Sequence, residues 1–220
     1  MSEIIKEGTS QKTTVSRIGI VYICTGKYHI FWNEFYRTSQ EYLLVKYEKH
    51  YFVFTDSDLI RQNRDVTVIH RKPGGFPMDS LLRFEMFTSI EKDLLLYDYV
   101  FFFNSNMCFV DTVDEEIFPV NYDSGLTGLI HPGYYNKHPF WFPYERNPKS
   151  KAAIKRGNKR YRYFMGSLLG GKTKSFLDMC EECVVKIRED LENEIIAVYH
   201  DESHLNRYFL DREILELDPG

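Results

Sequence analysis

The chain has 220 residues, of which 43% are hydrophobic and 16% aromatic, which is enough apolar material for one sizeable core. Its formal net charge of −4 argues against bulk electrostatic binding of nucleic acid, and no apolar run approaches the ~20 residues that cross a bilayer. The polar beginning, MSEIIKEGTSQKTTVS, lacks the apolar region of a secretory signal. We therefore predict a soluble cytoplasmic protein in which residues 1–16 are a disordered or extraneous lead.

The four cysteines are too sparse for a disulfide scaffold and fit a reducing compartment. Cys180 and Cys183 form a single C-x-x-C inside a strongly helical stretch, on its apolar side. A zinc site would need a second pair of ligands at a suitable spacing, and none is close in sequence. We therefore favour core packing for this pair.

The first half of the chain alternates predicted strands and helices. Apolar, β-branched runs predict strands at residues 17–25, 51–55, 66–70 and 99–103. Helical spacing predicts a helix from Tyr28 to Tyr47. After the loop KPGGFP, a second helix capped by Asp79 or Ser80 is predicted to run through Leu94. This alternation indicates a largely parallel sheet with helices on both faces.

Polar turns follow three of these strands, and in such sheets ligands bind beyond the carboxyl ends of the strands. The turns are Thr25-Gly26, Asp56-Ser57-Asp58 and Asn104-Ser105-Asn106. We expect all three on one rim of the sheet.

The second half is more irregular. Strands are predicted at residues 126–131, 161–169 and 195–199, and helices at 172–194 and 201–210. The segment GSLLGG, Gly166 to Gly171, lacks the spacing of a phosphate loop, although a ligand could lie against its backbone.

The motif HDESH, His200 to His204, resembles a zinc-protease motif only superficially. That motif is H-E-x-x-H, whereas Asp201 follows the first histidine here. What remains is an acid pair, Asp201 and Glu202, at the mouth of a predicted strand. Carboxylates there suit sugar chemistry, where they stabilise or trap a cationic anomeric carbon. The alternative is an ordinary helix start that is rich in acids.

A basic run, Lys149 to Arg162, contains seven cationic side chains and no acid. It could be a solvated loop, a lid that closes over phosphates or a nucleic-acid patch. Aromatic residues enter only at its end, so base stacking is poorly supported.

Several segments together resemble one family in the same order: YVFFFNSNMCF, HPGYYNKHPFWFPYERNPKS, YFMGSLLGG and AVYHDESHLNRYFLD. The chain resembles glycosyltransferase family 6, the family of the blood group A and B transferases and α-1,3-galactosyltransferase, from about Arg17 to Asp211. The resemblance implies a GT-A fold, an α/β fold with a Rossmann-like mixed sheet, in one domain over residues 17–220. Its nucleotide-binding half would be about 17–106 and its acceptor-binding half about 107–220.

The resemblance also implies retaining transfer of galactose or N-acetylgalactosamine from a UDP-sugar, in α-1,3 linkage, to a plain or fucosylated β-galactoside. The implied catalytic carboxylate is Glu202. The implied donor-binding residues are Ile23, Thr25, Tyr28, Arg83, Asn104, Asn106, Met165, Gly166, Ser167 and Asp201. The implied acceptor-binding residues are His131 and Tyr199.

Some positions depart from the family pattern. Tyr199 stands where a tryptophan is expected and Pro143 where a threonine is expected, so the acceptor identity is open. The sequence given ends at LELDPG, whereas relatives have a further segment that contacts the acceptor and a basic tail. Those roles would therefore belong to residues beyond this sequence or to other residues within it. The animal members' membrane anchor is also absent, which suggests a bacterial or phage-type member.

The alternative function is a catalytically impaired module that binds a UDP-sugar or glycan.

Asn104 and Asn106 occupy the positions of the family's D-x-D metal motif. Asparagine is neutral, so affinity for a hard divalent cation should fall, whereas its amide can donate to a phosphate directly. We therefore expect no metal cofactor. The basic run, Lys27 and Lys172 are the candidate sources of compensating charge. Met165 and Ser167 would crowd the sugar 2-position, which mildly favours galactose.

Overall fold

The computed structural model describes residues 16–157 and 161–219. Seven strands form one mixed sheet in the order β3-β2-β1-β4-β6-β5-β7. The strands are β1 (Arg17–Ile23), β2 (Glu48–Thr55), β3 (Val66–His70), β4 (Tyr99–Asn104), β5 (Leu126–Ile130), β6 (Phe164–Lys172) and β7 (Leu215–Leu217). The α-helices are α1 (Trp32–Tyr42), α2 (Met78–Leu81), α3 (Arg83–Thr88), α4 (Glu91–Leu94), α5 (Thr173–Glu192) and α6 (His200–Phe209). The predicted lead lies outside the described residues, except for its last one.

The predicted parallel half is confirmed. Strand β1 pairs in parallel with β2 and β4, and β2 pairs in parallel with β3. Strand β6 is antiparallel to both β4 and β5. The carboxyl ends of β1, β2 and β4 therefore share one rim, where the Gly26 N–H donates to Asp56 Oδ1 at 2.7 Å.

Strand β4 shows how the sheet separates two cores. Phe102 packs in the cluster that contains Phe87 and Phe176 of α3 and α5. Phe101 and Phe103 are buried in the cluster on the other face, which contains residues of α1. This alternation follows from side chains pointing to opposite faces along a strand, and it places helices on both faces as predicted. No helix in the described part of the chain is long and apolar enough to cross a membrane.

The predicted long helices of the first half are shorter in the structure. A 3-10 helix at Gly26–Phe31 precedes α1, and the chain turns extended at Leu43. The predicted helix through Leu94 is three short helices, and Asp79 does not cap it. The Asp79 carboxylate instead accepts hydrogen bonds from the N–H groups of Gly74 and Gly75, which closes the preceding loop.

Two predictions about the second half are wrong. Residues 195–199 are coil and turn rather than a strand, and the Val198 N–H donates to a Glu145 carboxylate oxygen at 2.8 Å instead of to a strand. Gly170 lies inside β6 rather than after it. A Cβ at Gly170 would lie 2.2 Å from Phe101 Cδ1, so the residue is glycine because the sheet packs closely there.

The helix that carries the C-x-x-C pair is confirmed as α5. Cys180 and Cys183 are fully buried among apolar side chains, and burial raises the pKa of both thiols. The pair is therefore part of the core, as predicted. The three-residue edge strand β7 was not predicted, because it is too short to show a pattern.

Candidate active site

Two adjoining clefts run along the carboxyl rim of the sheet. The first, of about 420 Å³, lies between the ends of β1 and β4 and the loop before α2. The second, of about 230 Å³, lies between β6 and the start of α6. Ser80, Arg83 and Asn104 line both, so the two form one continuous groove.

The structure brings almost all of the residues implied by the resemblance to this groove. Ile23, Thr25, Tyr28, Arg83 and Asn104 line the first cleft. The second cleft is lined by a set that includes Arg83, Asn104, His131, Met165, Gly166, Ser167, Tyr199, Asp201 and Glu202. Asn106 lies outside both linings and reaches the groove only through its contact with Asn104.

Glu202 is held by two hydrogen bonds from β6 and the residue before it. Its Oε1 accepts from the Tyr163 hydroxyl at 2.8 Å, and its Oε2 accepts from the Gly166 N–H at 2.7 Å. Glu202 lies in the first turn of α6, which begins at His200 with a positive φ of 49°. The strand and the helix start thus fix the carboxylate in one orientation at the second cleft.

Tyr163 was missed by sequence reasoning, although a tyrosine in a buried run is informative because its hydroxyl needs a partner. Its side chain is buried, and burial together with Glu202 raises the pKa of its hydroxyl far above the ordinary value. Tyr163 therefore remains a hydrogen-bond donor to Glu202 at any physiological pH.

Asp201 lies beside Glu202 and is only 3% exposed. The Arg83 Nε atom is 2.9 Å from Asp201 Oδ2, but the two groups are not aligned as a hydrogen bond, so the contact is ionic. Burial raises the pKa of Asp201 to about 6, and the Arg83 charge opposes that rise.

Arg83 ties this pair to the sheet. Its Nη1 donates to the carbonyl of Gly166, and its guanidinium lies 5.0 Å from the Phe102 ring centroid. Arg83 thus contacts β4, β6 and α6 at the point where the two clefts meet.

The Asn-Ser-Asn turn ends β4 in the groove. Asn104 Nδ2 donates to Asn106 Oδ1 at 3.0 Å, and the buried Tyr22 hydroxyl donates to the carbonyl of Ser105 at 2.8 Å. Two neutral amides that bond to each other offer no carboxylate to a hard cation. In residues 16–157 and 161–219, no three His, Cys, Asp or Glu side chains come together as metal ligands either. These residues do not fit a divalent metal.

Of the predicted sources of positive charge, Lys27 lines the first cleft. Lys172 was a wrong candidate, because it pairs with Tyr99 at the start of β4 and so lies at the opposite rim. In the basic run, Lys151 and Arg162 form ion pairs with Glu189 and Glu216. Lys159 and Arg160 lie outside the described residues.

The loop before α2 supplies a second residue that the sequence did not reveal. Phe76 lines the first cleft and is 84% exposed. Its ring meets the His200 ring edge-on, with 4.9 Å between centroids. Phe76 thus connects the loop over the first cleft with the start of the helix that carries Glu202.

A mixed α/β sheet with an acid-bearing groove at its carboxyl rim is consistent with the fold of an α/β glycosyltransferase. Residues 2–215 match the sequence model of glycosyltransferase family 6, and the chain belongs to that family. This confirms the resemblance and the fold class. Family membership implies a nucleotide-sugar donor and a glycan acceptor.

Three relatives illustrate the range of the family. The chain is 37% identical over 194 residues to the O-antigen biosynthesis glycosyltransferase WbnI of Escherichia coli, covering 87% of this chain and 81% of that protein. It is 32% identical over 227 residues to the histo-blood group ABO system transferase 1 of Rattus norvegicus, covering 96% and 64%. It is 30% identical over 202 residues to the globoside alpha-1,3-N-acetylgalactosaminyltransferase 1 of Gallus gallus, covering 88% and 57%. The chain thus spans less than two thirds of the length of these two animal relatives.

Proposed function

We propose that this protein transfers galactose or N-acetylgalactosamine from a UDP-sugar to a β-galactoside, plain or fucosylated, with retention and in α-1,3 linkage, and needs no divalent metal. The observation that supports this proposal most directly is the Glu202 carboxylate, which Tyr163 and Gly166 hold at the second cleft. The name of the chicken relative, an alpha-1,3-N-acetylgalactosaminyltransferase, supports the linkage.

The shape of the groove suggests how the substrates divide. The first cleft, lined by Ile23, Thr25 and Tyr28, would take the nucleotide, because it offers an exposed aromatic ring and apolar walls. The second cleft would take the donor sugar against Gly166 and Asp201. His131 and Tyr199, which also line the second cleft, would meet the acceptor.

Transfer with retention breaks the bond between the anomeric carbon and the diphosphate, and UDP leaves with the electron pair. In one route Glu202 bonds to the anomeric carbon as UDP leaves, and the acceptor hydroxyl then displaces Glu202, which departs as a carboxylate. In the other route Glu202 only stabilises the positive charge on the anomeric carbon while the acceptor hydroxyl attacks the face that UDP leaves. The proton of that hydroxyl passes to the departing phosphate oxygen. Both routes need one oriented carboxylate, which the two hydrogen bonds to Glu202 provide.

Without a metal, the charge that develops on UDP must be met by side chains. Lys27 and Arg83 are the cationic residues among the described lining of the first cleft. The Asn104 amide adds a neutral donor at the same rim, where an aspartate would repel the phosphates.

Ser167 bears on the choice of donor. Its hydroxyl is buried at the second cleft and has no hydrogen-bond partner among the described residues. A free sugar 2-hydroxyl would satisfy it, whereas the bulkier N-acetyl group would crowd Met165 and Ser167. This arrangement favours galactose.

One assay tests the donor, the acceptor and the metal together. UDP-galactose and UDP-N-acetylgalactosamine are each offered with plain and fucosylated galactosides, with and without EDTA, and products are read by mass. We expect product in EDTA, with more from UDP-galactose. Activity that is lost on chelation and restored by Mn²⁺ would contradict the metal-free proposal.

A matched variant sharpens the metal test. Replacing both Asn104 and Asn106 by Asp restores two carboxylates, which should lower turnover in EDTA because they repel the diphosphate. UDP binding without any product from the unmodified chain would instead indicate a binding module.

Tyr163→Phe tests how Glu202 is positioned. Loss of a hydrogen bond to a charged group costs ~1.5–3 kcal/mol, so we expect kcat to fall roughly 10- to 100-fold while KM for the donor changes little. Steady-state kinetics with both substrates separates the two constants. Tyr161→Phe is the control, because its hydroxyl donates to the carbonyl of Lys155 instead. An equal loss in both variants would rule out the positioning role.

A further inference from the structure

Positive charge is concentrated in one part of the chain. Residues 131–162 contain nine lysines and arginines but one acid, Glu145, so they carry +8 while the rest of the sequence carries −12. Glu145 is buried, and its carboxylate accepts hydrogen bonds from the N–H groups of Asn147 and Val198. Among the described residues of this segment, the charged side chains at the surface are therefore all cationic.

Exposed aromatic rings lie among these cations. Phe140 is 55% exposed and Trp141 is 67% exposed, and their rings meet edge-on with centroids 5.5 Å apart. The Arg156 guanidinium lies 4.7 Å from the centroid of Phe140. Arg146 lines the same hollow as Phe140 and Arg156. We call Phe140, Trp141, Arg146, Lys155 and Arg156 the basic-aromatic face.

The charge of this face is not neutralised by its own surroundings. Within the part of the chain that the structure describes, Lys155 and Arg156 form no ion pair with an acidic side chain, in contrast to Lys151, which pairs with Glu189 at 2.7 Å. Large exposed aromatic side chains surrounded by polar groups commonly mark an interaction surface. The face thus has both apolar and electrostatic binding capacity that the fold leaves unused.

The basic-aromatic face adjoins a small core near the second cleft, because the Arg146 guanidinium lies 5.4 Å from the Tyr144 ring centroid. The buried residues of this core are Phe142, Tyr144, Ile154 and Tyr163. Tyr134 packs against this core, and its ring contacts the His131 ring at a tilt of 55°, with 4.9 Å between ring centroids. The face and the second cleft therefore adjoin the same small core.

We propose that the basic-aromatic face docks on an anionic phospholipid surface. Tryptophan and phenylalanine insert at the level of the headgroups, while lysine and arginine contact lipid phosphates. The docking is independent of the proposed transfer reaction, and its test measures no turnover.

Single-stranded nucleic acid matches the geometry less well. Base stacking needs open ring faces, but Arg156 covers one face of Phe140, and Trp141 meets Phe140 edge-on rather than extending a platform.

Co-sedimentation with vesicles tests the proposal. The full chain is pelleted with vesicles of phosphatidylcholine alone, and of phosphatidylcholine mixed with phosphatidylglycerol. We expect binding to the mixed vesicles only, weakening as salt is raised. Lys155→Gln with Arg156→Gln should lower the partition coefficient at least about tenfold. Trp141→Ala should lower it as well.

The control is Lys92→Gln with Lys174→Gln, which removes the same charge from exposed positions on other helices and should bind as the unchanged chain does. Thermal unfolding of each variant verifies the fold. No pelleting with anionic vesicles, or equal loss in the control, would overturn the proposal. So would binding of a single-stranded oligonucleotide in a gel-shift assay without binding to vesicles.

Discussion

Glu202→Gln is expected to lower sugar transfer by at least about a thousandfold while UDP binding is retained. The amide cannot act as a nucleophile, and it cannot match the charge of a carboxylate beside a developing cation. The glutamine side chain can nevertheless keep the orientation of Glu202. Its amide oxygen can accept from the Gly166 N–H, and its NH₂ group can donate to the Tyr163 oxygen once the hydroxyl hydrogen of Tyr163 rotates away. The loss of sugar transfer would therefore result from the missing carboxylate rather than from misfolding.

Product is measured by mass, and UDP binding by calorimetry on the same preparation. Glu181→Gln, an exposed position on α5, is the control for removal of one negative charge. If Glu202→Gln turned over nearly as fast as the unchanged chain, Glu202 would not be the catalytic carboxylate. Loss of UDP binding would show that the first cleft had also been disturbed.

Arg83→Met is expected to have the largest effect on stability. The side chains of Arg83 and Asp201 are 12% and 4% exposed, and removing one partner leaves the other charge buried without compensation. Such losses cost about 3–5 kcal/mol. Urea unfolding should show this decrease, and donor binding should weaken because Arg83 lines both clefts.

The double variant Arg83→Met, Asp201→Asn is the matched control. It removes both charges and keeps similar volumes, so it should recover part of the lost free energy of unfolding. A double variant that is no more stable than Arg83→Met would show that the ionic contact is not what Arg83 contributes.

The Arg83→Met penalty should also grow with pH. The pKa of Asp201 is raised from 3.8 to about 6 in the folded chain, so this carboxyl favours the protonated form on folding. Its contribution to stability is therefore greatest at low pH and falls as pH rises from about 4 to 6. Without Arg83 the pKa rises further, so the added penalty should be small near pH 4 and largest near pH 8. If Arg83→Met lowered the free energy of unfolding equally at pH 4 and at pH 8, Asp201 would not be ionised in the folded chain at pH 8.

The first half of the fold could be predicted because its pattern is local. The run Tyr99–Phe103 is a strand whose alternate rings face two cores, and that information lies in adjacent residues. The edge strand β7 and the connection between α5 and α6 could not be predicted in the same way. Residues 195–199 contain apolar side chains, but the Val198 N–H bonds to a glutamate that is 53 positions away in sequence.

The sequence by itself determined the alternation of strands and helices, the rim on which the polar turns meet, and the family, because short-range patterns and specific motifs carry them. Only the tertiary structure decided that Tyr163 and Gly166 hold Glu202 and that Lys172 lies at the opposite rim. It also decided that Arg156 of the basic run lies over the exposed Phe140 ring. These facts depend on which distant segments meet. Spacing along a chain does not show this, because strand order and packing arise from contacts between residues far apart in sequence.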